Sequence, residues 1–307
     1  MTSQQPSKSR RRVVTVVIAA VLVVGLLLML TNTSLGAYIL LDYLADDDSG
    51  LVADPAAGPL ELSEFVTAFE AAPAMPPEID QPSGITYLED DRAFAIVTDQ
   101  AELFVVSEDF TTVRSMTLVL GGLLVRRQGV MEAAVDIGGG RIAVTGQTGR
   151  IDVWRKDAGP EFALETTIEL SGYAGEGEVE GLARNPQTGE LYLTFEEKLA
   201  IAVADATGRV LRELTFEDEL RGQLKPGRSL SEYRLSGLDY ADGLLYGVSE
   251  PYNTLFVIDP DDGLVRALGI ENGGPISAIA VRDGTAYLPL DHNYVDPRPP
   301  LLAVTLD

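Results

Sequence analysis

The chain has 307 residues, and 23 basic against 47 acidic side chains leave it a formal net charge of −24. Such a field repels phosphate, which excludes nucleic acid and an anionic membrane surface as partners and makes cations the natural counter-species. There is no cysteine, which excludes disulfides, thiolate metal sites and a cysteine nucleophile.

In chain order, Lys8, Arg10, Arg11 and Arg12 make residues 1–12 a basic tail. Residues 13–30 are uncharged and almost wholly aliphatic, and apolar character resumes over 35–41. That length spans a bilayer, and the basic flank stays in the cytoplasm. A single transmembrane signal anchor over 13–41 is therefore expected. It makes the chain a single-pass protein of the cell membrane, with all that follows on the extracytoplasmic side of a bacterium. A cleaved signal peptide competes with this reading, with Ser34-Leu35-Gly36 as a cleavage context, although its apolar region is usually shorter. Residues 42–62, with Asp46-Asp47-Asp48-Ser49-Gly50 and many Ala and Pro, read as a juxtamembrane linker. Four basic residues and no acidic ones precede Asp42, so the outer part is more acidic than the whole.

The clearest unit lies further on. Val179-Glu180-Gly181-Leu182-Ala183 opens it, and Asn185-Pro186-Gln187-Thr188-Gly189 is a turn. Residues 190–195 then alternate as a strand does. A third strand over 199–204, a turn at Asp205-Ala206-Thr207-Gly208 and a fourth strand over 209–216 complete an antiparallel meander. Such a meander is one blade of a β-propeller. The opening recurs at Pro82-Ser83-Gly84-Ile85-Thr86-Tyr87, Met131-Glu132-Ala133-Ala134-Val135-Asp136, Leu235-Ser236-Gly237-Leu238-Asp239-Tyr240 and Ile276-Ser277-Ala278-Ile279-Ala280-Val281. Second strands follow over 92–98, 141–145, 244–249 and 285–290. Residues 121–129 and 219–234 read as loops inserted between blades. The expected fold is all-β: a five-bladed propeller over 63–307, preceded by the single membrane helix. A β-sandwich is the competing reading, and five matching openings weigh against it.

The fifth repeat ends one strand short. An open edge invites aggregation, so residues 63–70 are expected to close the last blade as its outer strand. Leu62, Phe65, Val66 and Phe69 also fit one face of a helix.

Propeller geometry turns repeat position into a ring. The second residue of each opening reads Ser83, Glu132, Glu180, Ser236, Ser277. The ends of the second strands return to the same face with Asp99, Gly146-Gln147, Glu197, Glu250 and Asp291. Six carboxylates, Glu132, Glu180, Glu197, Glu250, Asp99 and Asp291, thus converge at the channel mouth. Crowded carboxylates protonate or take a cation, and an oxygen set with hydroxyls and carbonyls suits Ca²⁺. The one histidine, His292, adjoins this ring as the only imidazole base, and it also fits an ordinary turn. Gly138-Gly139-Gly140 reads as a hairpin turn, since no helix follows to make it a phosphate loop.

The phrases Pro82-Ser83-Gly84-Ile85-Thr86-Tyr87, Val179-Glu180-Gly181-Leu182-Ala183 with Asn185-Pro186 and Thr188-Gly189, and Val248-Ser249-Glu250-Pro251 resemble the SdiA-regulated (YjiK-like) family, distant relatives of NHL-repeat propellers. The resemblance runs from Gln81 to Asp307 and includes the anchor arrangement. It implies an extracytoplasmic five-bladed propeller with a calcium site. Glu132 and Glu180 match acidic positions of the second and third openings, and Glu197 and Glu250 match acids after second strands. Ser277 and Gly146-Gln147 depart from acidic positions of the family pattern, which puts the completeness of the metal site in doubt.

Two functions follow as expectations. The first is a membrane-anchored binding module with a structural Ca²⁺ and a protein or small-molecule ligand. The alternative is a calcium-dependent hydrolase of lactonase or esterase type, with His292 or Asp291 as its base. The poverty of bases favours the first.

Overall fold

The computed structural model describes residues 54–69, 74–118, 131–146, 149–156, 161–172, 178–195, 198–271, 274–290 and 301–306. The expected anchor at 13–41, the loop at 121–129, and Glu197, Asp291 and His292 lie outside them. Among the described residues no helix is long and apolar enough to cross a membrane.

A two-residue strand, β1 (Phe65–Val66), precedes the repeats. The first blade is β2 (Pro82–Leu88), β3 (Ala93–Thr98), β4 (Glu102–Ser107) and β5 (Val113–Leu118). The second is β6 (Met131–Asp136), β7 (Arg141–Gly146), β8 (Arg150–Lys156) and β9 (Phe162–Glu169). The third is β10 (Val179–Arg184), β11 (Leu191–Phe195), β12 (Lys198–Ala204) and β13 (Val210–Thr215). An insertion follows, with a short helix α1 (Glu217–Leu220) and 3-10 turns at Arg221–Gln223 and Leu230–Glu232. The fourth blade is β14 (Gly237–Ala241), β15 (Leu244–Ser249), β16 (Thr254–Asp259) and β17 (Gly263–Ile270). The fifth is β18 (Ala280–Arg282), β19 (Thr285–Pro289) and β20 (Leu301–Thr305).

Each blade is an antiparallel meander in sequence order. Tight turns make this possible: Gly138, Gly139 and Gly140 all have positive φ in the β6–β7 turn, which only glycine adopts freely. All four of the first blades carry a bulge between their third and fourth strands, at Val105/Val106, Val153/Trp154, Val203/Ala204 and Val257/Ile258. A bulge bends and twists its strand, so the outer strand of each blade turns against its neighbour.

The core is divided among the seams. One apolar cluster fills each junction: Leu103 and Ala134 between blades one and two, Ala133 and Leu193 between two and three. Tyr192 and Phe256 mark the third seam, Val248 and Ile279 the fourth, and Phe94 and Ala280 the seam that returns to blade one. Five seams closing on themselves make the ring a five-bladed β-propeller. Hydroxyls sew the same seams near the axis. Thr145 donates to the Val179 carbonyl at 3.2 Å, Thr194 to Leu235 at 3.0 Å and Ser236 to Ile276 at 3.0 Å. Ser277 donates to Pro82 and so joins the last blade to the first.

Five blades bring their inner strands very close. A Cβ on Gly84 would lie 2.8 Å from the Ala133 Cα, and one on Gly237 2.8 Å from the Ala278 Cα. This contact is why the openings carry only Gly or Ala at that point: Gly84, Ala133, Gly181, Gly237, Ala278.

The closing strand differs from expectation. Of residues 63–70, Phe65 and Val66 pair in parallel with Gly269 and Ile270 on the fourth blade, not the fifth. Two causes act. The insertion grips the preceding residues: Lys225 Nζ reaches the Gly58 carbonyl at 2.7 Å, Arg228 reaches that of Ala57 at 3.1 Å, and Leu60 bridges Leu224. The chain therefore arrives at blade four first. There Gly269 lacks the Cβ that would collide with the Phe65 ring. Blade four gains a fifth strand, and blade five has three among the described residues.

Candidate functional site

The ring of second positions owes its direction to bulges. The pairing of β2 with β3 skips Ser83, that of β6 with β7 skips Glu132, and that of β10 with β11 skips Glu180. A residue left out of the ladder is re-aimed, and these three reach the mouth of the channel. Val179, between Glu178 and Glu180, is fully buried. Glu178 precedes this buried valine and the bulged Glu180 follows it, and the two carboxylates meet beside Glu132.

Glu132, Glu178 and Glu180 each offer a carboxylate oxygen, and these oxygens all lie within 4.8 Å of one another. All three residues are half-buried. Three formal negative charges at that spacing repel unless a proton or a cation intervenes. Oxygen-only donors at this spacing fit a hard divalent cation, with water completing its shell. Below them the channel is nearly shut: a cavity of about 10 Å³ runs between Ser83, Glu132, Glu180 and the small residues Gly84, Gly237 and Ala278. That is at the threshold for a single water.

Of the other expected carboxylates, Asp99 and Glu250 are among the described residues. Asp99 accepts the hydroxyl of Ser83. Glu250 lies 3.9 Å from the Arg234 guanidinium, and its backbone N–H donates to Ser236 Oγ at 3.1 Å. Arg234 belongs to the insertion, so an element outside the repeat supplies the cation that faces Glu250. Glu197 and Asp291, with His292, are outside the described residues. Glu178 is the residue that repeat alignment misses, because it precedes the blade opening. Its signal is the alternation Glu176-Gly177-Glu178-Val179-Glu180.

The three serines of the ring are engaged. Ser83 donates to Asp99, Ser236 to the Ile276 carbonyl and Ser277 to that of Pro82. The protons of Ser236 and Ser277 serve the seams, and that of Ser83 stays within blade one. Two more carboxylates work at seams on the opposite face. Asp239 accepts the Val281 N–H of the next blade at 2.6 Å and its neighbour's, Tyr240, at 2.8 Å. Its burial pushes its carboxyl up to about 6. Asp136 accepts the Gly138 N–H at 2.8 Å and that of Glu89, in blade one, at 3.3 Å, and burial raises it too.

No family model matches the chain, and no curated protein matches it significantly. Solved structures do. Glutaminyl cyclase of Myxococcus xanthus superposes with a TM-score of 0.55 at 17% identity, over 81% of this chain and 100% of that one. The PQQ-bound aldose sugar dehydrogenase of Streptomyces coelicolor gives 0.50 at 12% identity, over 81% and 99%. At these identities the likeness is one of fold.

Proposed function

We propose that the chain is a membrane-anchored, extracytoplasmic propeller of the SdiA-regulated kind that binds Ca²⁺ at its channel mouth and presents that face to a ligand. The observation that carries the metal is the convergence of Glu132, Glu178 and Glu180 from two adjacent blades. Carboxylate oxygens gathered within 4.8 Å of one another repel, and a hard cation relieves that repulsion. The anchor rests on the uncharged run at 13–41 and its basic flank. Binding is favoured over hydrolysis because the chain has one histidine and no cysteine, which leaves little to serve as base or nucleophile.

Calcium titration of the thermal unfolding of wild type and Glu180→Gln tests the metal. Ca²⁺ at a hundredfold excess over its Kd raises wild-type stability by about 2.7 kcal/mol. Glu180→Gln keeps the shape and removes a charge, so it blunts that response and stabilises the calcium-free protein. Equal calcium responses in the two proteins would refute the site.

A further inference from the structure

We infer that residues 63–69 form a transferable strand, docked on the outer edge of the fourth blade and able to move to the outer edge of the fifth. Among the described residues blade four has five strands and blade five has three, so one transfer gives four to each. Polarity permits it without reversal. The inner strands β14 and β18 run the same way round the ring, and two antiparallel steps make β20 run with them. Three such steps make β17 run against them. Because β1 is parallel to β17, it already points as an antiparallel partner of β20 must.

The space between the two edges is a cleft of about 700 Å³. Glu64, Phe65 and Val66 form one wall, Thr305 and Leu306 the other, with Tyr246 among the floor residues. The present hold on the strand is a short ladder, an ion pair and the packing of Val66 and Phe69 against the apolar cluster between blades four and five. Its ladder is two residues long, with Gly269 N–H donating to Glu64 at 3.0 Å and Glu271 N–H to Val66 at 3.1 Å. The Arg266–Glu64 ion pair is exposed on both sides, and such pairs add little. Phe65 leaves 39% of its surface in solvent, and Leu306 and Tyr246 line the same cleft. Both flanks are fixed: Lys225 and Arg228 hold the residues upstream, and Met75 and Ile79 are buried in the seam between blades five and one. The strand can therefore travel sideways and no further. The two arrangements form an equilibrium, and whatever favours one depletes the other.

The absence of native cysteine makes crosslinking in the full-length protein clean. Phe65→Cys/Gly269→Cys reports the docked position and Phe65→Cys/Leu306→Cys the transferred one. Met116→Cys/Leu164→Cys, on the exposed outer strands of blades one and two, sets the background. Under mild oxidation both reporting pairs should bridge, the Leu306 pair at least tenfold above background. A Leu306 pair at background, with the Gly269 pair fully bridged, overturns the proposal. Hydrogen exchange on the unaltered chain gives a second reading. The Gly269 and Glu271 amides, held by the strand, should exchange at least tenfold faster than that of Ile270, which donates to Asn253 within the blade at 2.7 Å. Equal protection of the three amides also overturns it.

Discussion

Asp239 is a carboxylate used as backbone. It stands where β14 meets β18 and caps an N–H on each strand. Burial raises its carboxyl from the usual 3.8 to about 6, while the two N–H donors and the nearby Tyr246 phenol are the groups that face it. The folded state therefore binds the proton more tightly than the unfolded one between about pH 4 and pH 6. Stability from this group is complete below the unfolded pKa and is lost as pH rises through the folded one. The loss is on the order of 3 kcal/mol. Urea unfolding of wild type and Asp239→Asn from pH 4 to pH 7 should show that slope in the first and not in the second. Parallel slopes would show that Asp239 does not carry the effect. The variant also loses one acceptor for an N–H, a cost that is the same at every pH.

Among the elements, the inner strands tolerate the least. A Cβ at Gly237 would meet the Ala278 Cα at 2.8 Å and the Ile279 N at 3.1 Å, and backbone on both sides cannot give way. Gly237→Ala should cost about 1–3 kcal/mol. Gly222→Ala, where nothing lies within 4 Å, should change stability by no more than about 0.5 kcal/mol. Denaturant midpoints of the two variants decide it, and equal midpoints would mean that the ring opens easily. This crowding is what made the fold legible. Every blade must offer Gly or Ala at one point, so the openings resemble one another in a chain whose surface does not repeat. The bulges that aim Glu132 and Glu180 share that phrase, so those two residues could be read with it. Glu178 could not, since it lies before the phrase. The docking of β1 was equally hidden: it depends on a missing Cβ at Gly269 and on a grip by Lys225 and Arg228 more than 150 residues downstream, and neither follows from strand periodicity.

For the whole molecule, the position of the basic residues sets the expected orientation. The basic cluster at Lys8–Arg12 precedes the apolar run, and acids dominate all that follows. A reporter fused after Asp307 should therefore behave as extracytoplasmic, and the mature chain should retain residues 13–30. N-terminal sequencing that finds the mature protein starting near Ala37 would replace the anchor with a cleaved signal. Ring closure follows its own logic. The last blade meets the first through the Ser277–Pro82 bond and a stacked aromatic pair, Phe94 and Phe110 at 4.6 Å, with Tyr287 against Phe94 at 4.9 Å. Among the described residues no strand is shared between the sheets of blades five and one.

The grip of the insertion on residues 54–61 also determines where a mechanical load would go. Tension arriving from the N-terminal side meets Lys225, Arg228 and the Leu60–Leu224 bridge before it meets any blade. Those contacts pass it into the seam between blades three and four, where Leu60, Phe216 and Tyr233 are buried together. The seam between blades five and one, where the ring closes, lies beyond them along the chain. The propeller is thus pulled by its flank and not by its join, and a tug that strips the grip spends itself in unpeeling a strap before it can open the circle.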